Sequence, residues 1–339
     1  MSAHAPTDAL SAMEAADQFR TRAGELRSAI ERCVVGLGAS LEECLWCLLA
    51  DGHLLLEGVP GLGKTLLVRT IAQAAGLHAG RVQCTPDLMP SDIIGTAVLL
   101  DDPATGQRVR RFRAGPIFCQ VLLVDEINRA APRSQSALLE AMQERSVSVD
   151  GHTHQLSRPF LVLATQNPIE QEGTYPLPEA QLDRFLAKIE VPMPDREALG
   201  EILRRTTIGA MPEVPQVIDA EGLQALQRLA RQVAVAPHVQ DWAIRLTLST
   251  QAFGAFAAPS TARWIRHGAG PRAAQAMLSL GKVRALLAGR YALAIDDLRA
   301  VASMALRHRL QLSYEAEADG MRANEVVAHL VSSLPLEAP

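Results

Sequence analysis

Over the first two thirds of the chain, short apolar runs alternate with longer stretches of helical periodicity. The runs His53–Glu57, Arg81–Cys84, Val121–Asp125, Phe160–Thr165 and Ala187–Val191 have the length of strands. The apolar spacing between them predicts helices, notably over Lys64–Ala75 and Ser134–Glu144. Strands that alternate with helices predict a parallel sheet covered on both faces. Two segments break the rhythm. Arg108–Arg113 runs into Gly115-Pro116, and Val147–Val149 runs into Asp150-Gly151 and then Thr153–Leu156. The Asp-Gly pair between short apolar runs is a hairpin signal, so hairpins are expected as insertions in the α/β core.

The pattern changes near residue 192, where Pro192, Pro194, Pro212 and Pro215 punctuate a connection around one short helix, Arg196–Thr206. Beyond it the periodicity is helical, with Glu221–Ala236, Val239–Phe253, Pro271–Leu287 and Asp296–Arg309 the clearest segments and no strand expected. Carboxylates in the first turn of the last segment suit the helix dipole. The division this predicts is an α/β core over residues 1–210, with an Ala-rich segment at 1–24, and a small all-helical domain over 211–339.

Composition narrows the class. In 339 residues, 48% are hydrophobic and 21% charged, which excludes an intrinsically disordered chain. A net charge of −4 argues against a dedicated nucleic-acid binder. The five cysteines, Cys33, Cys44, Cys47, Cys84 and Cys119, suggest no disulfide framework. No signal peptide is read in Met1 to Glu31 and no apolar stretch has membrane-span length, so a cytoplasmic location is expected.

Two segments carry candidate chemistry. Gly58-Val59-Pro60-Gly61-Leu62-Gly63-Lys64-Thr65 fits the phosphate-loop pattern in full, with a strand before it and a helix after it. Glycines let backbone N–H groups close around phosphate oxygens, and the helix N-terminus adds its positive end. Lys64 would neutralise the β- and γ-phosphates and Thr65 would offer a hydroxyl to Mg²⁺; Leu66 continues the helix. Lys64 is also one of only three lysines, with Lys188 and Lys282. Val121–Asp125 is an apolar strand ending on two acids, Asp125 and Glu126. Asp125 suits Mg²⁺ and Glu126 suits activation of a water, which points to hydrolysis. No guanine-reading Asn-Lys-x-Asp occurs, so ATP is favoured over GTP.

Other residues are open from spacing alone. Asn167 could bind the attacking water or the γ-phosphate, or simply begin the turn at Pro168. Arg184 could reach a neighbouring subunit's γ-phosphate, or pair with Asp183 or Glu179. Arg272 could reach the phosphates if its domain folds over the site, or lie solvated. Cys44-x-x-Cys47 lies in a helical apolar pattern that favours packing over metal or redox use. His152 and His154 share one side of a strand and could ligate a metal, although a solvated hairpin tip is the simpler reading. Arg108, Arg110, Arg111 and Arg113 could meet nucleic acid or an acidic client, or line a subunit interface.

These motifs resemble the MoxR-type AAA+ ATPases over roughly residues 25 to 320. The resemblance is carried by Gly52–Thr65, Gly115–Phe118, Asp125–Ala130, Gln135–Glu144, Ala164–Ile169, Glu172–Phe185, Pro271–Ala273 and Arg307–Arg309. It implies a Walker A pair in Lys64 and Thr65, Walker B in Asp125 and Glu126, sensor 1 in Asn167, an arginine finger in Arg184 and sensor 2 in Arg272. It also implies a hexameric ring, ATP with Mg²⁺, and a chaperone-like role in maturing a partner, for example by metal insertion into a von Willebrand factor A domain protein. The sequence departs from the family's pattern at Leu37, at Gly270 and over Thr247–Gln251, which touches adenine and lid contacts. Two other readings compete: a DNA-handling AAA+ motor, and a nucleotide-gated binding module with little turnover.

Overall fold

The computed structural model describes residues 9–336 except 60, 102–106, 169–172, 208, 210–211 and 255. Among the described residues the first domain has the strands β1 (Leu54–Glu57), β2 (Ala79–Gln83), β3 (Gly95–Asp101), β4 (Arg108–Ala114), β5 (Val121–Asp125), β6 (Ser146–Val149), β7 (His152–Gln155), β8 (Leu161–Gln166) and β9 (Ala187–Glu190). Five of them form one sheet in the order β2-β5-β8-β1-β9, with every pairing parallel. Sequential strands that are not neighbours require crossovers, and the helices α1 (Ala9–Glu31), α2 (Gly38–Leu49), α3 (Lys64–Ala74), α4 (Pro90–Ile94), α5 (Pro132–Glu144), α6 (Glu179–Leu182) and α7 (Arg196–Thr207) lie among them.

The strand alternation builds two apolar layers. Leu54 and Leu56 of β1, Val121 and Leu123 of β5, and Leu161 and Leu163 of β8 face one way, into a core shared with α1 to α3 and the C-terminal helices. Leu55, Leu122, Val124, Val162 and Ala164 face the other, against Leu138, Leu139 and Met142 of α5. All of these leucines and valines are almost wholly buried.

The hairpins are present. β3 pairs with β4 and β6 with β7, both antiparallel. The sequence reading found β4, β6 and β7 but missed β3, whose Ala97-Val98-Leu99-Leu100 run has no alternation and ends exposed at Leu99 and Leu100. Arg110 on β4 bonds to Asp150 at the tip of the second hairpin over 2.6 Å, so the two hairpins are tied together. His154 stacks on Phe112 with centroids 3.9 Å apart. No cluster of His, Cys, Asp or Glu suited to a metal is found among the described residues, and Cys44 and Cys47 are buried in the core.

The second domain comprises α8 (Ala220–Gln232), α9 (Pro237–Ser249), α10 (Pro259–Trp264), α11 (Pro271–Leu287), α12 (Ile295–Leu306), α13 (Tyr314–Ala318) and α14 (Ala323–Ser333). The expectation of no strand here needs correction. β10 (Ile265–His267) and β11 (Gln311–Leu312) pair antiparallel, and Ala234 bridges Ala292. Segments of two or three residues are too short to show a period, which is why the pattern does not reveal them. The Ala-rich N-terminal stretch also contributes to the core from Ala16 onward. α1 buries Ala16, Phe19, Ala23, Leu26 and Ile30 along one stripe, in the same apolar core as Met277 and Leu280 of α11. No helix among the described residues is long and apolar enough to cross a membrane.

Candidate active site

Ligands of open parallel sheets sit beyond the carboxyl ends of the strands. The phosphate loop leaves β1 there. Gly58 is required by space, because a Cβ at that position would lie 2.9 Å from the carbonyl oxygen of Val191. Gly63 caps α3 with φ +74°, a left-handed conformation that L side chains avoid. α3 therefore begins at Lys64 with its free N–H groups turned to the loop. Pro60 lies outside the described residues.

A cavity of about 440 Å³ opens at this point, lined by Gly61, Gly63, Lys64, Thr65 and Leu66 from the loop and by Asp125, Glu126, Thr165 and Asn167 from β5, β8 and the residues that follow them. Lys64 Nζ donates to the carbonyls of Gly58 at 2.5 Å and Val59 at 3.3 Å. Burial lowers its pKa, while Asp125, Glu126 and Glu57 pull the other way. Asp125 is nearly buried, and Asn167 likewise. Glu126 holds φ +56°, a strained conformation for a non-glycine residue, and its N–H donates to Thr165 Oγ1 at 2.9 Å. The turn thereby aims the Glu126 carboxylate away from β5 and into the cavity.

The sequence reading missed three polar partners. Arg81 Nε donates to Asp125 Oδ2 at 2.8 Å, Gln83 Nε2 to Glu126 Oε2 at 3.1 Å, and Arg129 Nη1 to the same oxygen at 3.3 Å. Arg81 and Gln83 stand two apart on β2, which pairs with β5 so that Gln83 lies opposite Asp125. Their period-2 spacing on the strand beside Val121–Asp125 was the available signal.

A second recess of about 380 Å³ adjoins the cavity through Gly61, Gly63 and Leu66. Its walls are mostly apolar, with Val34, Val35, Leu37, Leu62, Pro194 and Ile202 among them. A charged phosphate chamber joined to an apolar slot has the form of a nucleotide site, with the base in the slot. The donor set also fits Mg²⁺, which takes hard oxygens from one or two side chains and the rest from phosphate and water. Thr65 and Asp125 line one chamber with the loop.

Arg184 and Arg272 do not line this chamber. Arg184 precedes β9, which runs parallel to β1 with Ala187 opposite Leu54. It therefore lies at the amino end of the sheet, and a four-residue strand separates the ends by about 13 Å. Arg272 stands at the start of α11 with Nη1 3.7 Å from Asp183 Oδ2, next to Arg184 in the chain. The structure thus gathers Lys64, Thr65, Asp125, Glu126 and Asn167 at one end of the sheet, and Arg184 and Arg272 at the other.

This fold and chamber define an ATPase core of the AAA type followed by a lid. Residues 53–187 match the ATPase family associated with various cellular activities, and residues 258–330 match the AAA lid domain. Chaperone MoxR1 of Mycobacterium tuberculosis is 41% identical over 91% of this chain and 80% of its own length. Protein MoxR of Paracoccus denitrificans is 33% identical over 87% of this chain and 90% of its own. A solved protein of Cytophaga hutchinsonii, described as a candidate ATPase, superposes with a TM-score of 0.88 at 36% identity, covering 97% of this chain and 98% of that one. The chain belongs to the MoxR family of AAA+ ATPases.

Proposed function

We propose that the protein hydrolyses ATP at sites shared between subunits of a ring, and uses the cycle to remodel a partner protein in the cytoplasm. Lys64 and the loop N–H groups hold the phosphates, and the apolar slot holds adenine. Mg²⁺, held by Thr65 and Asp125, supplies charge neutralisation on the phosphate oxygens. Glu126 orients and deprotonates the attacking water, and Asn167 fixes that water or the γ-phosphate. Arg184 and Arg272 complete the site of the next subunit.

One observation carries the shared-site reading. The two arginines sit beyond the amino ends of the strands, while the chamber sits beyond their carboxyl ends. No side-chain rotation closes that gap, and a ring places one end against the other. The remodelling role follows MoxR1, which is named a chaperone. A von Willebrand factor A domain protein is the partner class the resemblance implies, and metal insertion is one form the maturation could take. A DNA motor is less well supported: Arg110 is paired with Asp150 and Arg108 with Asp101.

Glu126→Gln tests the hydrolytic assignment. Steady-state ATP turnover should fall by about 10²–10⁴-fold, the range of a general base, while ATP stays bound and can be recovered unhydrolysed. Turnover within a few-fold of the parent would remove Glu126 from the chemistry.

A further inference from the structure

Arg309 follows α12, in the lid domain, yet its side chain is 3% exposed and its guanidinium is bonded into the loop between α6 and β9. Nε donates to Asp183 Oδ1 at 2.8 Å. Nη2 donates to the carbonyls of Asp183 at 3.2 Å and Phe185 at 2.7 Å. Nη1 donates to Leu186 O at 3.3 Å and to Ala305 O. Every N–H of the fork is used, four of them on the loop. The neighbouring His308 ring nitrogen Nε2 lies 3.2 Å from Phe185 O, and Arg307 Nη1 lies 3.2 Å from Glu190 on β9. Arg184 falls between two gripped carbonyls, those of Asp183 and Phe185. The other oxygen of Asp183 faces Arg272.

We propose that Arg309 is a positioning residue for catalysis in trans. Through Asp183 and the carbonyls on either side of Arg184, it locks Arg184 and Arg272 into one unit that the lid carries to the phosphates of the next subunit's ATP. The inference rests on the shared-site reading above and deepens it. A planar fork suits the task, because one rigid group fixes a carboxylate and three backbone oxygens together. A lysine in its place has a single ammonium that cannot span them. The loop would then keep its charge balance and lose its fixed geometry.

The test uses Arg309→Lys, with Asp183→Asn as a second variant that keeps the side-chain shape and removes the charge. A misplacement of about 1 Å in an aligned group costs up to about 10²-fold, so kcat should fall by about 10- to 100-fold while the KM for ATP stays within about twofold. Each variant is then assembled with Lys64→Ala subunits, which lack a working phosphate loop but keep an intact Arg184 loop. ATP turnover of the mixture should exceed the sum of the separate preparations, because the variant's own chamber now meets a sound neighbour. Arg184→Ala mixed with Lys64→Ala is the reference. If that pair shows no recovery, the shared site itself is wrong. If it recovers while Arg309→Lys keeps full kcat, or loses kcat without recovery, the positioning role is overturned and the shared site stands. Should Arg309→Lys fail to fold, Asp183→Asn decides by the same two readouts.

Discussion

The two ends of the five-stranded sheet handle charge in opposite ways. At the carboxyl end, polar groups line an open cavity and hold replaceable partners. Arg81 is 57% exposed while bonded to Asp125, and Lys64 folds back on its own loop. At the amino end Arg309 and His53 are enclosed and committed to fixed partners, although Arg231 and Arg272 beside them stay partly exposed. Asp51, 11% exposed, is held by Arg145 at 2.9 Å and Arg231 at 3.2 Å. Arg309 is enclosed, and His53 is wedged between β8 and α5, accepting from Val162 N–H at Nδ1 and facing Met142 O with Nε2. A site that must bind, react and release needs partners it can exchange. A junction that must transmit geometry needs partners it cannot.

Lys64→Ala probes that contrast most sharply. Its ammonium donates to the carbonyls of Gly58 and Val59 within its own loop and forms no direct ion pair among the described residues, so the folded state depends little on it. ATP turnover should fall by more than about 100-fold, with the loss seen also in nucleotide binding. The thermal midpoint without nucleotide should move by no more than about 2 °C, as for other substitutions away from the core. A large loss of stability would mean that Lys64 holds the loop rather than the phosphates.

The same contrast explains what could be read from the sequence. The chemistry at the carboxyl end is compressed into contiguous segments, Gly58–Thr65, Asp125-Glu126 and Asn167, because one strand end and one turn supply each group. The alternation of strands and helices, and the helical character of the C-terminal part, could be read from periodicity; the order of the strands in the sheet could not. The amino end is assembled from far apart: Asp183 and Arg309 are separated by 126 positions, and nothing local marks either as one half of a pair. Arg272 illustrates the limit. Its sequence position suggested a reach toward the phosphates of its own chain, and only the packing of α11 puts it beside Asp183. Arg81 and Gln83 were within the run read as a strand, but their chemistry depends on which strand lies alongside.

Acid should strike the dry end first. Burial pushes the His53 pKa down to about 4, and its Nδ1 is already the acceptor for a backbone N–H, so a proton there would face another donor. His308 is lowered in the same direction by burial and by Arg309. A histidine with a depressed folded pKa stays neutral in the native state while the unfolded chain takes up a proton below about pH 6.5. Stability is thus fully present above pH 6.5 and is lost as pH falls toward 4. For His53 alone the loss between pH 7 and pH 5 comes to about 2 kcal/mol, or roughly 20-fold in the unfolding equilibrium. Urea unfolding at the two pH values measures it, and His53→Gln should flatten the dependence. A parent protein equally stable at pH 5 and pH 7 would show that these rings are hydrated.

The smallest effect belongs to the replaceable partner at the open end. A Mg²⁺ held at Asp125 would compete with Arg81, whose guanidinium already bonds Asp125 Oδ2. The pair is half in solvent, so its contribution is at most about 1 kcal/mol, which corresponds to about fivefold in an equilibrium constant. Arg81→Gln should therefore lower the Mg²⁺ concentration for half-maximal ATPase activity by about two- to fivefold and leave kcat nearly unchanged. The opposite result, a higher KM for ATP and a lower kcat, would mean that Arg81 leaves Asp125 to grip phosphate during the cycle. Either outcome would make Asp125 a group that changes partner when the chamber loads, in contrast to Asp183, which Arg309 holds through both its side chain and its backbone carbonyl.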